Sequence, residues 1–130
     1  MHILQPAGWV LPKGYSNGVV TSGRQVYIGG QVGWDSDCRF TSTDFVLQAH
    51  QALENIVTIL AEAGGKPENI VRMTWYVMDK REYIAAYHEL GTVYRAVMGR
   101  HYPAMTAVQV AALIEDAARV EIEATAVIPE

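Results

Sequence analysis

The sequence predicts an α+β sandwich in the order ββαβαββ, with one mostly antiparallel sheet and two helices on one face of it. Three observations predict this. Apolar residues recur at helical spacing in two segments only, 45–60 and 83–97. Short runs that alternate apolar and polar residues fill most of the remainder, and glycine or proline separates the segments. At 130 residues the chain has the length of one domain, so residues 1–130 are read as a single unit.

The first two strands are expected between Tyr15 and Trp34. Two β-branched or aromatic runs flank Ser22-Gly23-Arg24 there, the pattern of an antiparallel hairpin. Gly29, Gly30 and Gly33 punctuate the second arm, where glycine marks a bulge or a close approach to the backbone. The first helix carries Ala49, Leu53, Ile56, Val57 and Leu60 on its apolar stripe, with Ser42 or Thr43 as cap and Gly64-Gly65 as terminator. A strand follows over 70–78, with Val71, Met73, Trp75 and Val77 on one side and Arg72, Thr74 and Tyr76 on the other.

Asp79 and Glu82 resemble a capping box for a second helix, borne by Tyr83, Ala86, Tyr87, Leu90, Val93, Tyr94 and Val97 and closed by Gly99. Two more alternating runs, 105–113 and 119–127, are joined by the turn Ile114-Glu115-Asp116-Ala117. Setting Val71, Met73 and Trp75, then Thr106, Val108 and Val110, then Val120, Ile122 and Ala124 against the helices leaves Tyr76, Met105, Ala107, Gln109, Glu121 and Glu123 on the opposite face. That face is too apolar for open solvent and too polar for a dry core, so it is expected to be buried against other copies of the chain.

Composition excludes several functions. A net charge of −4, without a cluster of Lys and Arg, argues against a nucleic-acid partner. No apolar run approaches the roughly 20 residues of a membrane span, and the first residues lack the basic start and apolar core of a secretion signal, so a cytoplasmic location is expected. Cys38 is the only cysteine and sits in a polar loop with no histidine partner in view. His2, His50, His88 and His101 lack the paired spacing of metal ligands, so neither a metal nor another cofactor is expected.

Several segments resemble the RidA/YjgF family in order and spacing. They are Gly14-Tyr15-Ser16-Asn17-Gly18, Gly29-Gly30-Gln31, the helix ending Glu62-Ala63-Gly64-Gly65, and the strand from Ile70 to Asp79. The most specific are the stretch from Tyr102-Pro103-Ala104-Met105-Thr106 to Leu113 and that from Val120-Glu121-Ile122-Glu123 to Ala126. The resemblance covers nearly the whole chain. It implies a chorismate-mutase-like fold, a barrel-like homotrimer, and small-molecule sites between subunits. It also implies hydrolysis of reactive enamines and imines to ammonia and a 2-keto acid.

By the same resemblance, Glu121 matches the glutamate that orients or activates the hydrolytic water, since a carboxylate in a cleft can take a proton from water and return it to a leaving amine. Tyr15, Gly30 and Gln31 would line the pocket, and the backbone amides near Gly30 and Ala107 would bind a carboxylate or oxyanion. A helix position that is often asparagine in the family falls at Tyr87 or His88. The family's carboxylate-gripping arginine, after Pro-Ala, is replaced by Met105. A guanidinium clamps a carboxylate with two charge-assisted hydrogen bonds, whereas a thioether offers only polarizable surface. Either another cation, such as Arg72, Arg100 or His101, takes over, or the ligand is larger and less dependent on one carboxylate.

Two functions from different classes therefore stand. One is hydrolytic deamination of a small reactive enamine, imine or conjugated amine, an aminomuconate-type compound being one candidate, with Glu121 as catalytic residue and Tyr15, Gly30, Gln31, Tyr87, Met105 and Ala107 binding an anionic substrate. The other is a trimer that binds a small metabolite without turning it over.

Overall fold

The computed structural model describes all 130 residues. In chain order they form β1 (His2–Leu4), β2 (Gly18–Val20), β3 (Arg24–Val32), α1 (Phe45–Ala61), a 3-10 turn (Pro67–Asn69) and β4 (Ile70–Val77). Then come α2 (Lys80–Ala85), α3 (Tyr87–Met98), β5 (Ala104–Gln109) and β6 (Val120–Ile128). β3, β6, β4 and β5 hydrogen-bond in that order into one mixed sheet, antiparallel across β3–β6 and β6–β4 and parallel across β4–β5. The fold is α+β, with the two longer helices, α1 and α3, in one layer on the sheet.

The expected hairpin between the first two strands does not form. β2 pairs with β1 in a separate two-stranded ribbon, and β3 pairs with β6. A turn signal at Ser22-Gly23 fixes a bend but not a partner. Gly23, at φ +143, lies so close to β6 that a Cβ would meet the Ile128 carbonyl oxygen at 2.3 Å.

Helix α1 lays Phe45, Gln48, Ala49, Ala52, Leu53, Ile56 and Leu60 inward, and the small Ala49 and Ala52 let its backbone approach β3 and β6. Its cap is Asp44, whose carboxylate accepts from the Leu47 N–H at 3.0 Å, rather than Ser42 or Thr43; Ser42 Oγ accepts from the Asp44 N–H at 2.9 Å. The expected second helix is broken at Ala86 into α2 and α3, although neither glycine nor proline marks the break. Tertiary contacts hold α2: Tyr83 sits edge-on to Phe45 and Trp75, and Glu82 pairs with Arg119. Because Glu82 is engaged there, no capping box forms with Asp79, whose carboxylate accepts from the Arg81 N–H at 2.8 Å.

The two faces of the sheet differ from expectation in two places. A register shift between Ile70 and Arg72 puts Ile70, rather than Val71, in the core. In β5 the expected faces are exchanged. Met105, Ala107 and Gln109 stand beside Met73, Trp75 and Val77 and share their helix-facing side, while Thr106 and Val108 turn outward. The parallel ladder to β4 sets this phase, and a period of two within a mixed apolar run cannot reveal it. No helix is long and apolar enough to cross a membrane.

Tyr94 carries a stability prediction. It is buried, donates to the His101 carbonyl oxygen at 2.5 Å and stacks on Tyr102 at 5.5 Å. Burial, with a smaller contribution from Tyr102, raises its pKa well above the ordinary tyrosine value of 10.0. The raised pKa means that the folded state keeps its proton when the unfolded state has lost it. This stabilisation is complete below about pH 10 and is lost as pH rises toward the folded-state pKa, by about 1.4 kcal/mol per pH unit. Thermal melts between pH 9 and 11.5 should fall less steeply for Tyr94→Phe than for the natural protein; parallel curves would contradict this.

Candidate functional site

Residues expected at one site divide between the two faces of the sheet. On the helix side, Tyr15, Tyr87, Met105 and Ala107 line a cleft of about 880 Å³ between β4–β5 and α2–α3. It exists because α1 covers β3 and β6 while α3 leans on α1, which leaves the β5 end of the sheet uncovered. Tyr15 is brought there by its neighbour. Ser16 bridges to Ala104, its N–H donating to the Pro103 carbonyl at 3.0 Å and its hydroxyl to the Tyr102 carbonyl at 2.5 Å. Tyr87, not His88, faces this cleft.

β5 is the edge strand of the sheet. The Val110 N–H donates toward β4, to the Val77 carbonyl at 3.0 Å. By the two-residue period of a strand, the Ala107 N–H points the other way, off the free edge. It is therefore a donor available to a ligand oxygen.

On the opposite face lie Gly30, Glu121 and a second, smaller hollow of about 470 Å³ that includes Tyr27, Gly29, Arg72, Thr74 and Glu123. Gly29-Gly30 is the bulge of β3, where the register to β6 shifts between Ile28 and Gln31. Its purpose at Gly30 is visible: a Cβ there would lie 2.1 Å from Glu121 Oε2. The glycine leaves the carboxylate room to lie against the backbone. Gln31 is half-buried, and its side-chain amide donates to the Gly29 carbonyl at 3.2 Å.

Glu123, two residues on, is engaged. It accepts from the Tyr76 hydroxyl at 2.7 Å, and this bond, followed by burial and the charges of Glu123 and Glu121, raises the Tyr76 pKa, so the phenol stays a donor. Glu121 has no such partner. Within one chain, Glu121 and Met105 are thus on opposite sides of the sheet and cannot act on one ligand.

None of the three cations expected to replace the missing arginine joins the cleft. Arg72 is on the outer face, Arg100 is exposed beyond α3, and the His101 ring is held at 2.6 Å from the Ile70 carbonyl. The cleft's cations are instead Lys13, Lys80 and Arg95. Sequence reading missed them, along with the cleft wall formed by Trp75 and Tyr83. The available signal was the run of tyrosines at positions 83, 87 and 94, where a plain core stripe would carry leucine or isoleucine. No group of three or more His, Cys, Asp or Glu side chains converges as a metal site.

Comparison with known proteins places these features in a family. The family model described as Endoribonuclease L-PSP matches residues 11–128. The human protein named 2-iminobutanoate/2-iminopropanoate deaminase is 36% identical over 114 residues, 87% of this chain and 79% of its own length. The protein of that name from Salmonella typhimurium is 34% identical, covering 83% of each chain. Among solved structures, the Rid-family protein YyfB of Yersinia pestis superposes with a TM-score of 0.86 at 28% identity, covering 98% of both chains. RidA of the Antarctic bacterium Psychrobacter superposes with a TM-score of 0.70 at 36% identity over 88% of each.

Proposed function

The chain belongs to the RidA/YjgF family, and we propose that it hydrolyses reactive enamines or imines at clefts between the subunits of a homotrimer. The observation that carries this reading is the division of the site. A cleft with a free edge amide at Ala107 stands on one side of the sheet, and an unengaged carboxylate, Glu121, stands on the other. The outer face has no covering layer and exposes Tyr27 at 73%. Docking it over a neighbour's cleft would bury that face and bring one subunit's Glu121 to the next subunit's Met105 and Ala107. Relatives named imine deaminases support the chemistry.

In this reaction the enamine tautomerises to the imine, and water adds to the imine carbon. Glu121 accepts a proton from the water and passes it to nitrogen to give the carbinolamine, then takes the carbinolamine hydroxyl proton and delivers it to the amine as the C–N bond breaks, which releases ammonia and leaves the 2-keto acid. The Ala107 amide holds an oxygen of the anionic end. A ligand of this kind also suits the charge of the molecule better than RNA does, since the net charge is −4 and the outer face carries Glu121 and Glu123.

Met105 favours a second reading, a trimer that binds a small metabolite without turning it over, because the position carries no cation. One experiment separates the two: ammonia release from freshly generated 2-aminoacrylate by the natural protein and by Met105→Arg. The natural protein is expected to be slow. The variant should gain about ten-fold or more in kcat/KM, since one charge-assisted clamp contributes about 1.5–3 kcal/mol. No release above the buffer rate from either protein would leave the binding reading.

A further inference from the structure

The helix-side cleft is built for more than a three- or four-carbon acid. Its volume of about 880 Å³ lies near the upper end of the usual range for small-molecule sites. Its walls are aromatic: Tyr83 stands edge-on to both Trp75 (6.1 Å between centroids) and Tyr87 (5.3 Å), and Met105, on the strand beside Trp75, also lines it. Trp75 is 3% exposed and its indole N–H is buried with no acceptor, so the ring backs the wall without presenting that donor to the cleft.

The charges of the cleft are of one sign. Lys13, Lys80 and Arg95 line it and no carboxylate does, in a chain whose net charge is −4. The two acidic residues that flank Lys80 and Tyr83 are engaged elsewhere, Asp79 on the Arg81 N–H and Glu82 on Arg119. Arg95 lies over Gly91, one turn earlier. A Cβ at Gly91 would lie 3.1 Å from the Arg95 guanidinium. Glycine inside a helix costs about 1 kcal/mol relative to alanine, and here it lets the guanidinium lie close over the helix beside the cleft.

We infer that this cleft selects an anionic acid with a planar, apolar body, its carboxylate drawn by the positive charge that Lys13, Lys80 and Arg95 spread along the cleft, and its body packed among Tyr83, Tyr87 and Met105. The positive charge lost at position 105 is thereby supplied by other residues of the cleft, and the thioether becomes part of the wall that contacts the body. The identity of the acid as a substrate rests on the proposed hydrolysis; its binding does not.

The test is calorimetric titration of the full-length protein with phenylpyruvate and with pyruvate, alongside hydrolysis of the imines generated from phenylalanine and alanine. Phenylpyruvate should bind at least ten-fold more tightly than pyruvate. Lys80→Gln and Arg95→Gln should each weaken phenylpyruvate by three- to ten-fold. Lys80→Gln keeps the backbone N–H that donates to Gln109 Oε1 at 2.9 Å, so the start of α2 is preserved. Equal affinities, or a phenylpyruvate affinity indifferent to both cation substitutions, would overturn the inference. If the alanine-derived imine were still hydrolysed in that case, the deaminase reading would survive without the selectivity inferred for the cleft. Tight phenylpyruvate binding without hydrolysis of either imine would uphold the cleft and remove the deaminase reading.

Discussion

Glu121→Gln is expected to lower kcat for imine hydrolysis by about 10²- to 10⁴-fold, the usual contribution of a general acid–base group, while the melting temperature and sedimentation profile stay those of the natural protein. Glutamine keeps the shape of the side chain and removes only its ability to accept a proton. The site makes the substitution clean. Gly30 provides the space in which the carboxylate lies, and glutamine fits the same space. Glu121 forms no salt bridge and no side-chain hydrogen bond within the chain that its loss would break, so stability has little reason to change.

The neighbouring carboxylate is a poor substitute. Glu123 accepts the Tyr76 proton at 2.7 Å, and the raised pKa of that phenol keeps the bond in place through neutral pH. Glu123→Gln should therefore leave kcat within a few-fold of normal. Initial rates of ammonia release under substrate saturation measure both variants. A Glu121→Gln protein with natural kcat would remove this residue from the mechanism, and a large loss in Glu123→Gln alone would transfer the role to it.

What the sequence disclosed and what it concealed divide along a physical line. Local patterns were legible: the 3.6-residue stripe of α1 through Leu53, Ile56 and Leu60, the alternation of β4 through Met73, Trp75 and Val77, and the bulge at Gly29-Gly30. Features set by distant partners were not. The β5 strand reads equally well with Met105 inward or outward, and only its ladder to β4 decides. The break at Ala86 follows from Tyr83 and Glu82 finding Phe45, Trp75 and Arg119. For the site, the motif positions were legible one by one, but their division between two faces was not, because sequence order carries no information about which side of a sheet a residue serves until the strand order is known.

Gln48 is the sharpest case of a concealed residue, and Gln48→Ala is expected to destabilise the protein by about 3 kcal/mol, which for a domain of this size lowers the melting temperature by roughly 10 °C. On a helical wheel Gln48 is an unremarked polar residue beside Ala49. In the structure it is 1% exposed and holds three backbone groups: its amide donates to the Ser42 carbonyl at 3.0 Å and the Ala117 carbonyl at 2.9 Å, and its oxygen accepts from the Arg119 N–H at 2.8 Å. Gly33 opens the space for this packing, since a Cβ there would lie 2.6 Å from the Gln48 Cα. Alanine would leave the three groups without their partner, each costing about 1–3 kcal/mol less whatever water recovers, and would add a void. Gln48→Met separates the two causes by filling the space without the hydrogen bonds. If methionine restores the melting temperature, packing rather than hydrogen bonding holds the loop, and this account of Gln48 fails. If both variants melt early, the bonds from α1 to residues 117–119 are what fix the entry into β6. Glu121 lies two residues beyond that anchor, so the same variants should then also lose hydrolytic rate at temperatures where they remain folded.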